Sequence, residues 1–529
     1  MDNVARTRQV LTWLREWGCR EVVVCAGARN APLVVALNQA TDLKTWSFFE
    51  ERSAAFFALG RMKSQAWPVA VVTTSGTAAA ELLPAAIEAD HTGLPLILVT
   101  ADRPPEYRGT GAPQAIQQVG LFSHYVEKSL DYWNENLQIE WSKRRPLHLN
   151  VCLSEPTRQE LATLSEKNKS ENRAVEKSSA TAAMTVDSMQ VTAMRQFCAR
   201  CKRPAVILGP LVMSEVSLVE EWLHQTRFSI YAEALSNLSH SKLLREQMVK
   251  GGERALFQAL KQGWCDGVIR VGGVPTTRIW RDLEMEFNKT PVLSLSSKLL
   301  SGLSRKDAAV LPLYSLKSWP DTNASVRPAE WTDLQIKAEQ YLFELQKEYP
   351  LAEPAMLGTV AGAMPSKARI YLGNSLPIRE WDLTAPQGKQ WQMAGSRGAN
   401  GIDGQISTFL GFAEPEDSNW AVLGDLTALY DLSAPWILNQ RRLTDVNMVL
   451  INNGGGRIFS RMYGREELEN PHQINFSDWA KMWNLDYQLV HSPEQFQSRA
   501  TRPRVVEVIP DPQQSQKFWT AWEEFWKNT

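Results

Sequence analysis

Residues 419–459 read NWAVLGDLTALYDLSAPWILNQRRLTDVNMVLINNGGGRIF. Two apolar runs, Trp420–Leu423 and Val446–Ile451, have the length and composition of buried strands. The first delivers Gly424 and Asp425, the second Asn452 and Asn453 followed by three glycines. Asp425 and Asn453 lie 28 residues apart, the length of one strand-helix-strand unit. The spacing therefore predicts a helix crossing a parallel sheet and both residues side by side at neighbouring strand ends. A carboxylate, a side-chain amide oxygen and a backbone carbonyl freed by glycine suit octahedral Mg²⁺, with Mn²⁺ as the alternative. Such an ion keeps positions for water and phosphate oxygens, so the implied ligand is a diphosphate.

The same grammar recurs upstream. Val4, Leu11, Leu14 and Trp17 repeat at helical spacing, Gly18 stops the helix, and EVVVCAG at 21–27 reads as a buried strand. PVAVVTTSGTAAAELLPAAIEA at 68–89 reads as strand, glycine turn and helix, and LPLILVTADRPPE at 94–106 as a strand ending in a polar loop. Gly27 to Arg29, Ser75 to Thr77 and Asp102 to Arg103 should then share the rim where such sheets bind ligands. Further strands are expected at 204–209, 267–273 and 291–296, and near 368–373, 420–424, 446–452 and 504–509. A helix carrying Trp331, Leu334, Ala338, Tyr341 and Leu345 on one face should run to Pro350. The fold class is α/β, with three consecutive domains, each a mainly parallel sheet flanked by helices. The expected divisions are a domain at 1–164, a polar linker at 165–188, a middle domain at 189–317, a linker and helix at 318–350, and a last domain at 351–529.

Composition narrows the function. The 529 residues carry 57 Lys plus Arg against 58 Asp plus Glu, and 44% are hydrophobic. Several cores can be buried, and no global charge draws the chain to nucleic acid or anionic lipid. Six cysteines are too sparse for a disulfide scaffold, and Cys198 and Cys201 lack the second pair a zinc site needs. Cys25 reads as a small core residue. Charged residues interrupt the N-terminal pattern and no apolar run has the length of a membrane span, so a soluble cytoplasmic protein is expected. The seven histidines show no HxxxH spacing.

Gly424-Asp425 and Asn452-Asn453 at this spacing resemble the diphosphate-magnesium motif of thiamine diphosphate enzymes, with Leu426 in place of the usual third residue, a glycine. The resemblance implies the thiamine diphosphate-binding fold. It implies Asp425, Asn453 and the Gly455 carbonyl as metal ligands, and Ser75, Gly76, Gly424, Leu426 and Ile458 around the cofactor. It also requires a carboxyl against the aminopyrimidine N1′, because a proton must leave the cofactor's C2 carbon before chemistry begins. WSFFEERSAAFFALG at 46–60 offers Glu50 and Glu51 at the start of an apolar helix, where acidic residues also simply favour the helix dipole. The family's phenylalanine, acidic residue, glutamate, arginine run selects Glu51, with Glu50 as the alternative.

Closer likeness lies in GAR at 27–29, TSGTA at 74–78, TADRPPE at 100–106, GAPQAI at 111–116, GNSLPIR at 373–379, GSRGANGIDG at 395–404 and GDLTALYDL at 424–432. Together these resemble the 2-succinyl-5-enolpyruvyl-6-hydroxy-3-cyclohexene-1-carboxylate synthases of menaquinone and phylloquinone biosynthesis. That family implies condensation of 2-oxoglutarate with isochorismate and release of CO₂, in a homodimer or homotetramer. It also implies substrate contacts from Arg29, Arg103, Gln114, Arg278, Ser375, Arg379 and Arg397. Arginines suit the task, since planar guanidinium groups recognise carboxylates bidentately. The chain departs from the family's SPGSR at Cys25 to Arg29, from GANQ at Pro113, and from a second basic residue at Thr277, all near the expected isochorismate pocket. A related 2-oxoacid decarboxylase or acetohydroxyacid-type synthase is the enzymatic rival, and a non-catalytic regulatory subunit of the same fold is the rival of another class. The arginines speak against the first and the retained Glu51 against the second.

Overall fold

Glu21–Cys25 has no polar alternation, and it forms a strand buried along its whole length, as a strand covered on both faces must. The computed structural model describes residues 2–133, 137–166, 187–320, 327–498 and 502–529. Most of the linker expected at 165–188 lies outside these residues, as does the 321–326 part of the second. In the first sheet, β1 (Glu21–Cys25), β2 (Lys44–Phe48), β3 (Val69–Thr73), β4 (Leu96–Asp102), β5 (Lys128–Tyr132) and β6 (Leu147–Cys152) pair in the order β2-β1-β3-β4-β6-β5, all parallel. The carboxyl ends of β1, β3 and β4 therefore carry the three expected rim segments side by side.

The chain falls into two compact units. One comprises Met1–Ser179 with Ser396–Glu416 and Thr427–Thr444; the other comprises Ala180–Gly395, Asp417–Leu426 and Asp445–Thr529. Within the first unit the helix Glu51–Gln65 is buried continuously from Ser53 to Met62, and it packs against the fully buried helix Gln405–Phe412. The crossing is made by glycines: a Cβ on Gly60 would overlap the Thr408 carbonyl oxygen, and one on Gly411 would overlap that of Phe57.

Beside this crossing Arg61 bonds Glu21 at 2.7 and 2.8 Å and Glu414 at 2.8 Å, and Trp46 donates to Glu21 at 2.6 Å.

The second unit holds two further parallel sheets. In the order β11-β10-β9-β7-β8 run β7 (Pro204–Leu208), β8 (Ser229–Ala232), β9 (Gly267–Val271), β10 (Val292–Leu295) and β11 (Ala309–Leu311). The last sheet has the order β13-β12-β14-β15-β17-β16, from β12 (Arg369–Leu372), β13 (Gln392–Ala394), β14 (Asn419–Gly424), β15 (Val446–Ile451), β16 (Asp486–Val490) and β17 (Arg504–Val508). The expected helix is Ala329–Glu348. The link from β14 to β15 differs from a single crossing helix: Asp425–Tyr430 is a short helix, and Ala434–Asn439 a 3₁₀ turn opened by Pro435. Asp431 breaks the run, buried as the acceptor for the backbone and hydroxyl of Ser407. Among the described residues no helix is long and apolar enough to cross a membrane.

Burial raises the Glu21 carboxyl, but hydrogen bonds and charge from Arg61 outweigh it, and its pKa lies below the ordinary 4.5; Glu414 is also raised by burial and lowered overall, by the Ser64 hydrogen bond first and then by Arg61. A lowered folded value means stability that is complete above the unfolded carboxyl range and lost as pH falls through the folded one. Arg61→Met strands a buried carboxylate and is expected to destabilise the protein by about 3–5 kcal/mol at neutral pH. In denaturant unfolding across a pH series, the gap from wild type should narrow as pH drops below 4.5; a gap independent of pH would contradict the pairing.

Candidate active site

Gly424 pairs with Ile451 in the last sheet, so Asp425 and Asn452 leave neighbouring strands together. Asp425 is buried. Its Oδ1 accepts from Leu426 N–H at 2.6 Å, and its Oδ2 accepts from the N–H groups of Gly454 and Gly455, both at 2.9 Å. Burial raises this carboxyl, and the backbone donors pull it partly back. His472 Nε2 stands 3.3 Å from the same Oδ2. Gly454 and Gly455 have φ of +78° and +138°, and a Cβ at Gly455 would crowd the Glu469 carbonyl oxygen at 2.6 Å. The Gly455 carbonyl accepts from Arg457 N–H at 2.9 Å.

The two asparagines do different work. Asn452 ties the loop down, donating to Ile474 O at 2.8 Å and to Glu507 Oε1 at 2.6 Å. Asn453 donates its amide nitrogen to both oxygens of Glu353, at 3.1 and 2.9 Å, while its Oδ1 is buried with no hydrogen-bond partner among the described residues. A buried carbonyl oxygen without a donor, on the residue next to the glycine N–H groups that hold the Asp425 carboxylate, is an oxygen donor suited to a hard cation. The residues present thus fit the ion that the spacing implies. Among the described residues no group of three or more His, Cys, Asp or Glu is placed to hold a metal. Leu426 and Ile458, the latter opening the helix Ile458–Tyr463, are half-buried on the two chain segments leaving this loop pair.

In the first unit the helix start separates Glu50 from Glu51. Glu50 caps the helix, accepting from the backbone N–H groups of Arg52 and Ser53 at 3.0 Å each and from the hydroxyls of Ser53 and Ser433. Glu51 is half-buried and its carboxyl has its own backbone N–H as partner. Burial raises it, and the neighbouring Glu50 charge adds to the rise. Ser75 is buried beside Gly76, whose N–H donates to Gln118 Oε1 at 2.9 Å. Exposed Gln114 lies over Gly76. Arg29 is buried and already engaged, donating to Leu153 O at 3.1 Å and Glu155 Oε2 at 2.7 Å. Arg103 donates to Pro113 O at 3.0 Å. The loop of Arg397 is pinned by Glu88, which accepts from Gly398 and Ala399 N–H at 3.0 and 2.8 Å. Arg397 therefore belongs to the first unit, although its sequence neighbours suggest the last sheet.

Elsewhere in the second unit, Ser375 takes φ of +74° before the helix Leu376–Thr384, and exposed Arg379 donates back to its carbonyl at 2.5 Å. Arg278 is two-thirds exposed, 3.5 Å from Asp282, and its backbone N–H donates to Glu253. Sequence reasoning passed over Glu353, Gln118, Glu88 and His472. Nothing local marks them: Glu353 reads only as the acidic first residue of a helix, and its partner lies 100 residues away.

Residues 6–121 match the family model described as thiamine pyrophosphate enzyme, N-terminal TPP binding domain. The fold is thus that of a thiamine diphosphate enzyme, with thiamine diphosphate as its cofactor. From end to end the chain is 41% identical to the whole 2-succinyl-5-enolpyruvyl-6-hydroxy-3-cyclohexene-1-carboxylate synthase of Bdellovibrio bacteriovorus. It is 35% identical to the synthase of that name from Akkermansia muciniphila over 95% of each chain. With that from Chloroflexus aurantiacus it shares 29% identity over 89% of this chain and 86% of the relative. The chain belongs to this synthase family.

Gly455→Ala should strain the loop that holds Asp425. A loss of about 1–3 kcal/mol is expected in thermal unfolding of the ligand-free protein; an unchanged melting curve would show that the loop tolerates a side chain there.

Proposed function

We propose that the chain catalyses the thiamine diphosphate-dependent decarboxylation of 2-oxoglutarate and the addition of its four-carbon remainder to isochorismate. The product is 2-succinyl-5-enolpyruvyl-6-hydroxy-3-cyclohexene-1-carboxylate, a step toward menaquinone or phylloquinone. The observation that carries the reading is the partnerless Asn453 Oδ1 beside Asp425, in a chain that aligns end to end with a synthase of that reaction.

When bound, thiamine diphosphate supplies a nucleophilic carbon and an electron sink for the leaving carboxylate. Asp425, Asn453 and the Gly455 carbonyl would hold Mg²⁺, with Mn²⁺ able to substitute, and through it the diphosphate. Ser75, Gly76, Gly424, Leu426 and Ile458 would line the cofactor. Glu51 is the group suited to share a proton with the aminopyrimidine N1′, because half-burial already favours its protonated form and Glu50 is committed to the cap. Ser375, Arg379 and Arg397 would bind 2-oxoglutarate, and Arg29, Arg103, Gln114 and Arg278 would bind isochorismate. Two dicarboxylate substrates beside an anionic cofactor need that many cationic donors, each charged hydrogen bond contributing roughly 1.5–3 kcal/mol.

In functional terms residues 1–164 form the pyrimidine-binding domain, 189–317 the middle domain and 351–529 the diphosphate domain, joined by 165–188 and 318–350, with the stretches 396–416 and 427–444 of the last packed into the first compact unit. Each unit exposes large apolar side chains, among them Phe49, Tyr430 and Leu432 in one and Phe459, Met462 and Tyr463 in the other. Such surface supports a homodimer or homotetramer. The enzyme works in the cytoplasm on small molecules, without nucleic acid.

The direct test mixes the protein, Mg²⁺ and thiamine diphosphate with 2-oxoglutarate and isochorismate and follows CO₂ and product together. One CO₂ per adduct is expected. Decarboxylation of another 2-oxoacid, with 2-oxoglutarate inert, would overturn the assignment.

A further inference from the structure

Glu353 opens the helix Glu353–Ala363 and is buried, and its place is fixed from the C-terminal helix Pro512–Lys527. Its backbone N–H donates to Ser515 Oγ at 2.9 Å. Two residues earlier, Leu351 N–H donates to Gln514 Oε1 at 3.0 Å, and the Leu351 carbonyl accepts from Asp511 N–H at 2.9 Å. The carboxyl so placed meets the Asn453 amide nitrogen with both oxygens. Near it, on the helix Leu376–Thr384 that packs against its own, lies Glu380, completely buried.

An asparagine amide has two orientations, with nitrogen and oxygen exchanged. Facing the two oxygens of a carboxylate, only one of them is favourable. Both Glu353 oxygens accept from the one amide nitrogen, at 3.1 and 2.9 Å, so the NH₂ is turned to them and the carbonyl oxygen is turned away. That oxygen is the atom found buried without a partner. Leaving it so is unfavourable unless a ligand outside the protein completes it.

We propose that Glu353, backed by Glu380, is a positioning residue that fixes the Asn453 amide with its oxygen toward the divalent cation. The proposal rests on the reading of Asp425 and Asn453 as metal ligands. It assigns a role to a buried acidic pair that neither binds the cation nor touches substrate. Groups behind metal ligands typically govern affinity by 10–100-fold.

The test measures Mn²⁺ binding to the full chain with thiamine diphosphate present, by the electron paramagnetic resonance signal of free Mn²⁺. Glu353→Gln presents an amide that competes for the Asn453 oxygen, and Mn²⁺ should bind roughly 10–100-fold more weakly than to wild type. Asn453→Asp gives a second reading that does not depend on the first variant folding. An added carboxylate ordinarily strengthens a divalent site, but here it faces Glu353, so weaker binding is expected. Combining the two lets the new glutamine donate to the new aspartate and should restore much of the loss; a merely structural Glu353 would make the two losses add. Unchanged affinity in Glu353→Gln, or tighter binding in Asn453→Asp, would overturn the positioning role while leaving the metal site standing. Wild-type protein that takes up no Mn²⁺ would overturn both.

Discussion

The parallel register that sets Gly424 beside Ile451 decides what stands at the carboxyl ends of the two central strands of the last sheet. Asp425 follows one strand and Asn452 to Gly456 follow the other, so a buried carboxylate meets a row of backbone N–H groups. The carboxylate needs donors once it leaves water, and Gly454 and Gly455 provide them only by adopting positive φ, where a side chain would be strained or would collide with the Glu469 carbonyl. Asn452 then anchors to Glu507 on the next strand, and Asn453 is left facing Glu353. A slip of one residue would exchange the faces of every side chain on the strand and dismantle the set.

Much of this was legible because it is local. Gly424-Asp425 and Asn452-Asn453 sit directly after apolar runs, and periodicity alone places them at strand ends. The buried strands β1, β3, β4, β7, β9, β10, β12, β14, β15 and β17 announce themselves for the same reason. Edge strands do not: Lys44–Phe48 and Lys128–Tyr132 are only partly buried and mix polar with apolar residues, which is what a strand with one open side allows. Also hidden was everything that depends on partners far apart in the chain. Arg29 reads as a free guanidinium until Glu155 appears beside it, and the segment 396–416 reads as part of the last domain until Gly411 is found against the helix of Glu51. Glu353 and Glu380 lie in ordinary helical sequence, and only their burial together reveals them.

Adjacent residues can carry opposite duties when a helix begins between them. Glu50 and Glu51 share a chemistry and a neighbourhood, yet Glu50 spends its oxygens on the first N–H groups of the helix and on two hydroxyls, while Glu51 is left half-buried with its carboxyl raised. The same logic separates Asn452 from Asn453. In each pair one side chain builds the scaffold and its neighbour is left with fewer partners in the protein: Glu51 with its own backbone N–H, Asn453 with an oxygen that has no partner among the described residues.

The division between Glu50 and Glu51 is where the account is most directly exposed, because the two carboxyls differ by one position and the chemistry needs only one. The decisive measurement is the rate of hydrogen-deuterium exchange at C2 of bound thiamine diphosphate in Glu51→Gln and Glu50→Gln. Glu51→Gln should bind the cofactor and slow exchange by roughly 10²–10⁴-fold, with Glu50→Gln exchanging at close to the wild-type rate. Wild-type exchange in Glu51→Gln, or a loss confined to Glu50→Gln, would contradict it.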